Sequence, residues 1–181
     1  MRIYSLWTTV EDPAAVVDFV GDARRRSVLF EAATGDDQAQ FRARAQRGYT
    51  PQTLAATDFL TASTGVPIFS TRVVDRIGDV LRADATFFPC TITCQGEQFS
   101  FVAARIDTRA NLIDESASVF RQLSDGERSL IKPVYRSEFD RDFLLARDHH
   151  ELFDLAASER FRQLANQNGL AIAFLPRAQP D

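Results

Sequence analysis

IFSTRVVDRIGDVLRADATFFP, residues 68–89, and LAASERFRQLANQNGLAIAFLP, residues 155–176, read as one unit written twice. Each has a Ser with an Arg two positions on (Ser70 and Arg72, Ser158 and Arg160), then an amphipathic helical pattern, then a short apolar run closed by Pro89 or Pro176. Ser70 and Ser158 are predicted helix N-caps. Val73, Val74, Ile77, Val80 and Leu81 follow the spacing that buries one stripe of the first helix. Phe161, Leu164 and Ala165 do the same for the second, and Glu159 complements its dipole. Gly169 stands where a left-handed residue ends a helix, and Leu170–Leu175 reads as the strand beyond it. Gly78, inside the first helix, costs about 1 kcal/mol relative to Ala and marks a close backbone contact.

The segment after the first copy reads as a hairpin. Thr86–Cys94 and Gln98–Thr108 are rich in β-formers, and Gln95-Gly96-Glu97 supplies a short Gly-containing turn. Working outward, Arg2–Thr9 alternates as an opening strand. Asp12-Pro13 predicts a helix running to Val20 and stopped by Gly21. Ser27–Ala33 reads as a strand. Residues 34–53 are the most polar stretch and read as a surface loop, with one helical turn around Gln38–Arg47. Thr57–Ser63 reads as a short strand or turn. Residues 109–128 lack a period. Ser129–Arg136 is an edge strand because Pro133 cannot donate to a ladder; Phe143–Ala146 and Leu152–Ala156 are further strands. Strands outnumber helices, so the expected class is α+β: a mixed or antiparallel sheet with a central hairpin and two or three packed helices. The 181 residues read as a single domain, with an N-terminal lobe at 1–60 and a second region at 60–176.

Composition excludes several classes. With 45% hydrophobic and 25% charged residues, the chain is an ordinary globular sequence. At this length it needs neither disulfide nor metal to hold a core. No segment reads as a signal peptide or membrane helix, so a cytoplasmic location is expected. The net charge of −4 argues against nucleic acid as a partner and suits a basic protein. Cys90 and Cys94, four apart on a predicted strand, lie roughly 13 Å apart along it, beyond disulfide reach, and should be free thiols.

No catalytic or metal constellation emerges. His149-His150 is the only histidine site, and neighbours on a strand point to opposite faces, so a polar turn explains the pair better than a metal site with Asp148 and Glu151. The cysteines lack a CxxC partner and a base at hand; buried thiols are the simpler reading. There is no GxSxG elbow and no phosphate-binding Gly loop. The remaining feature is the acidic stretch in which Glu138, Asp140, Asp142, Asp148, Glu151 and Asp154 stand against Arg136, Arg141 and Arg147. A solvated face explains it; so does a surface that docks a basic partner.

One resemblance bears on these alternatives. PIFSTR at 67–72, ATFFPCTI at 85–92, IDESASVFR at 113–121, LARD at 145–148 and ASERFRQLANQNGLAIAF at 157–174 occur in an order that resembles a bacterial immunity-protein family of polymorphic toxin systems. This family was formerly a domain of unknown function, of the immunity protein eleven or forty-three type. Its Ser-capped central helix, its I-D-x-x-x-S stretch and its terminal S-x-x-F helix leading to a G-L strand match Ser70, Ile113-Asp114 with Ser118, Ser158 with Phe161, and Gly169-Leu170. The first 60 residues match only in opening with a strand.

The resemblance implies a non-enzymatic protein without cofactor that binds and neutralises a cognate toxin in the cytosol. Glu138, Asp140, Asp142, Asp148 and Glu151 are the expected contacts, with the polar 34–50 segment beside them. The alternatives are a small enzyme using carboxylate or His chemistry to reverse a toxin's modification, and a non-catalytic regulatory module.

Overall fold

A computed structural model describes residues 1–21, 29–30, 39–124 and 126–179. It is an α+β structure with three helices among the described residues, α1 (Pro51–Ala56), α2 (Thr71–Leu81) and α3 (Glu159–Gln167). One sheet has six strands in the order β2 (Val17–Val20), β3 (Phe41–Ala45), β6 (Ala85–Cys94), β7 (Glu97–Ile106), β5 (Pro67–Ser70), β4 (Phe59–Thr61). The second has five, in the order β13 (Ala173–Pro176), β1 (Ile3–Trp7), β12 (Leu155–Ser158), β11 (Leu145–Asp148), β8 (Arg109–Ala110). A separate hairpin pairs β9 (Val119–Gln122) with β10 (Arg128–Lys132).

The expected central hairpin is β6–β7, paired without a break from Ala85 opposite Ile106 to Cys94 opposite Glu97. Gln95 and Gly96 turn it, both at positive φ (50° and 91°), as a two-residue primed turn demands. The six-stranded sheet curls until its ends meet: Val17 bridges Ala62, and the Ser63 amide donates to the Val17 carbonyl at 3.0 Å. Inside that curl lie Phe41, Leu54, Leu60, Ile68, Phe88, Ile92 and both cysteines. Cys90 and Cys94 are buried, free thiols, and burial pushes Cys90 up to about 12.

The two sequence copies have the same topology. β5 leads through α2 to β6, and β7 lies between these two strands, antiparallel to both. β12 leads through α3 to β13, and β1 lies between them, again antiparallel to both. Each copy is therefore a split β-α-β unit with a third strand inserted. The inserted strand follows its unit in the first copy and comes from the opposite end of the chain in the second. The helix stripes meet in one core: Val73, Ile77 and Leu81 of α2 and Phe161 and Ala165 of α3 share a cluster with Phe69, Ile106, Leu145 and Ala157 from the two sheets. Arg76 of α2 donates to the Asn168 carbonyl at the end of α3.

The two caps differ. Ser158 acts as expected, its hydroxyl accepting from the Phe161 amide at 3.2 Å. Ser70 occupies the N-cap position of α2 but does not cap it; its hydroxyl donates to the buried Asp58 carboxylate instead. Asp58 also takes Arg72 Nε at 2.9 Å and the Ala171 amide at 2.7 Å, so it ties the first copy to the loop closing the second. Asp84 does the reverse. Beyond α2, it receives the Leu144 and Leu145 amides (2.6 and 3.2 Å) and the Thr108 hydroxyl (2.6 Å). Asp58 and Asp84 are 2% and 6% exposed, so each leaves water only because several donors replace it.

The N-terminal expectations need correction. Asp12 to Val20 is not a helix. Asp12 receives the Ala14 and Ala15 amides in a turn, and Val17–Val20 is a strand paired with β3. The β-branched residues and Phe19 favour the extended form, and the partner strand decides it. The polar 34–53 segment is not one loop: Phe41–Ala45 is a strand, with Phe41 and Ala43 buried and Arg42 and Arg44 exposed, and α1 starts at its end. Thr50 caps α1 reciprocally with Thr53. The expected strand at Ser27–Ala33 lies outside the described residues except for Leu29 and Phe30, which form a turn. The strands expected at Phe143–Ala146 and Leu152–Ala156 run instead over β11 and β12, which begin two and three residues later and both end two residues later.

Two predictions follow from these ties. Asp84→Ala strands three donors and should lower unfolding stability in urea by about 3 kcal/mol, whereas Asp79→Ala, which removes a surface pair with Arg82, should change it by less than about 0.5 kcal/mol. Glu159, gripped first by Arg162 and then by the Tyr4 hydroxyl, is held down to about 2. Its folded value lies below its unfolded one, so its contribution is complete above about pH 4.3 and disappears as pH falls towards 2. Glu159→Gln should flatten the stability profile in that window and leave its slope near neutrality unchanged.

Candidate functional site

Two of the quoted stretches meet around a cavity of about 420 Å³. Its wall is the segment from Asn111 to Phe120, which contains the I-D-x-x-x-S motif; the rest of the lining comes from Arg136, Asp148, His150 and Glu151. The motif builds the wall by local hydrogen bonding. The Asp114 carboxylate receives the Ser116 amide and hydroxyl (3.0 and 2.6 Å) and the Ala117 amide (3.3 Å). The Ser116 hydroxyl foremost, with these amides, holds Asp114 below the usual carboxylate range. Ser118 substitutes for a strand partner, its hydroxyl oxygen accepting from the Val134 amide at 2.9 Å. Arg136 Nε donates to the Ile113 carbonyl at 3.3 Å.

Asp148 is the post on which this wall stands. One carboxylate oxygen receives the Leu112 and Ile113 amides (2.9 and 3.1 Å), and the other receives those of His150 and Glu151 (2.8 and 3.0 Å). The residue is 3% exposed. Asp148, expected among the docking residues, therefore does not present its charge at the surface; its donors come from the main chain and it fixes both sides of the cavity. Glu151 does face the cavity, half-buried, and its carboxylate has no hydrogen-bond or ion-pair partner among the described residues. Glu115, on the wall built by the motif, has Arg128 at 3.9 Å as its one ion-pair partner among the described residues, and Arg128 stacks on Phe120 with its guanidinium carbon 4.1 Å from the ring centre.

The other expected contacts are not brought here. Glu138, Asp140 and Asp142 are exposed on the strandless run before β11 and do not line the cavity. Asp154 turns inward, receiving the Tyr135 hydroxyl at 2.6 Å and pairing with Arg177. Arg147, counted among the charges balancing the acidic stretch, is fully buried. It donates to the Leu152 and Gly65 carbonyls (2.6 and 2.9 Å), and burial lowers it to about 10. The acidic stretch is thus a mixture of surface charge and interior posts, and sequence spacing alone does not separate them.

His149 and His150 are both exposed, and only His150 lines the cavity. Among the described residues, no group of three or more His, Cys, Asp or Glu side chains is arranged to hold a metal. No helix of the described residues is long and apolar enough to cross a membrane. The chain matches no family model and no curated protein.

Proposed function

We propose that this chain is an immunity protein that neutralises a cognate toxin in the cytosol by direct binding, and that the cavity beside Asp148 receives a basic side chain of that toxin. The observation that carries the reading is the charge of the lining: Asp114, Glu115 and Glu151 present carboxylates against the guanidinium of Arg136, and Glu151 has no ion-pair partner among the described residues. A Lys or Arg entering here would meet an uncommitted carboxylate on a wall already held rigid, which favours capture and orientation of a positive partner. The motif that carries the family resemblance forms that wall, which links the sequence argument to the geometry. A neutralising interface needs about 1,600 Å² in total, so the cavity is an anchor within a wider contact.

The second reading, an enzyme, draws on His150 facing the same cavity. The Asp148 carboxylate cannot serve as its partner, because both oxygens are filled by amides. Co-expression with the product of the adjacent gene tests both readings. Under the binding reading that product is toxic alone, this chain rescues growth, and the double variant Glu115→Lys/Glu151→Lys weakens the purified complex about 100-fold by calorimetry. A harmless neighbour, or equal killing with this chain present, defeats it. His150→Ala should leave rescue intact; loss of rescue with binding unchanged would instead establish the enzymatic reading.

A further inference from the structure

Trp7, the only tryptophan of the chain, stands at the end of β1 and is 49% exposed. Two cavities share it, together with Thr61. One, of about 200 Å³, is walled by Val66, Pro67, Phe153 and Leu155. The other, of about 220 Å³, is walled by Val10, Pro13 and Val16, with Glu11 and Asp12 also in its lining. Phe153 is 73% exposed and lies against Gly65, which sits at positive φ (71°) and leaves it room: a Cβ there would come within 3.3 Å of the Phe153 ring. A half-exposed Trp and a more exposed Phe flanking apolar hollows are the residue types that dominate protein interfaces when covered.

One polar atom in the lining is unfinished. The buried Thr61 hydroxyl, on the wall common to both cavities, has no hydrogen-bond partner among the described residues. A buried hydroxyl without a partner is uncommon in folded proteins.

Size and charge identify the occupant. Neither hollow alone reaches the roughly 300 Å³ at which small-molecule sites begin. Each has room for one side chain. Side chains two apart on an extended segment lie about 7 Å apart on one face, a repeat suited to two hollows that share Trp7 and Thr61 as a common wall. Its main chain is a source for the hydrogen bond that Thr61 lacks. Glu11 is exposed without an ion-pair partner among the described residues, while Arg177, in the other hollow, is already paired with Asp154. The open charge is therefore negative and lies at one end.

We propose that the cleft divided by Trp7 binds an extended segment of a partner protein, apolar at two alternate positions and basic beyond the one entering the Val10–Val16 hollow. The proposal extends the protein-binding reading to a second surface, whose lining shares no residue with the acidic cavity.

Trp7 is its own reporter. The full chain is titrated with tryptophan-free peptides of pattern Lys-Ser-Leu-Ser-Leu and its reverse, with Trp7 emission as the readout. The expected result is a saturable blue shift, about tenfold weaker binding when Lys becomes Glu or when Phe153 is changed to Ala, and a preference reversed to the Glu peptides in Glu11→Lys. Both substitutions are at exposed positions, and circular dichroism checks their folding. Glu115→Lys/Glu151→Lys should leave the peptide titration unchanged, so failure here is separable from failure of the acidic cavity as toxin anchor. Absence of a shift with every peptide overturns the proposal. So does an equal shift with all-Ser controls or in Phe153→Ala, and so does self-association that shifts Trp7 emission without peptide, which would assign the cleft to a second copy.

Discussion

A carboxylate taken out of water must be given several donors at once, and three aspartates of this chain meet that demand with main-chain amides from distant segments. Asp58 takes an amide from residue 171, Asp84 takes two from residues 144 and 145, and Asp148 takes two from residues 112 and 113. Each is buried, so losing its donors leaves a charge without solvation rather than merely a missing contact. The sheets meet where these bonds cross. Hydrophobic burial supplies most of the driving force for such a fold, but it is non-directional; the carboxylates fix which loop lies against which helix end.

The split β-α-β units supply the frame that these ties hold together. Because each unit leaves a gap between its parallel strands, each requires an inserted strand. One gap is filled locally by β7 and the other by β1. The consequence is that residues from both ends of the chain line common surfaces: Trp7 and Ser5 lie beside Phe153, Leu155 and Arg177. Neither candidate surface belongs to the repeated helices themselves. They form in the segments that join and precede them, where side chains are not already committed to the core.

What was legible in the sequence follows from how local the deciding forces are. The β6–β7 hairpin could be read because alternation and a Gly turn are local signals, and α2 and α3 because their apolar stripes have a helical period. Val17–Val20 and Phe41–Ala45 could not. Asp12-Pro13 gives a genuine turn signal that does not continue into a helix, and FRARA offers only Phe and Ala on its inner face, so pairing with β6 sets its conformation. The Thr50-Pro51 start of α1 was a readable cap, obscured by its polar surroundings. At the site, Glu151 was legible as surface charge and the 113–118 wall as a motif. The interior role of Asp148 was not, because its partners lie 35 and 36 residues away. Trp7 gave no signal, since a Trp at the end of an apolar strand reads as core until its neighbours are known.

The position of β1 also sets a timetable. Its ladder partners, Ala157 in β12 and Phe174 in β13, lie more than 150 residues downstream of Tyr4 and Leu6. On a ribosome adding roughly 5–20 residues per second, the first strand waits on the order of ten seconds for the edges it will join. Meanwhile β5, α2, β6 and β7 can form their own unit, whose pairings are local by comparison. The second unit has no such independence: its gap can close only around a segment made more than 150 residues earlier. The molecule therefore completes its second sheet by recovering a strand made long before its partners, and the apolar side chains of Ile3, Leu6 and Trp7 are exposed to other chains until it does.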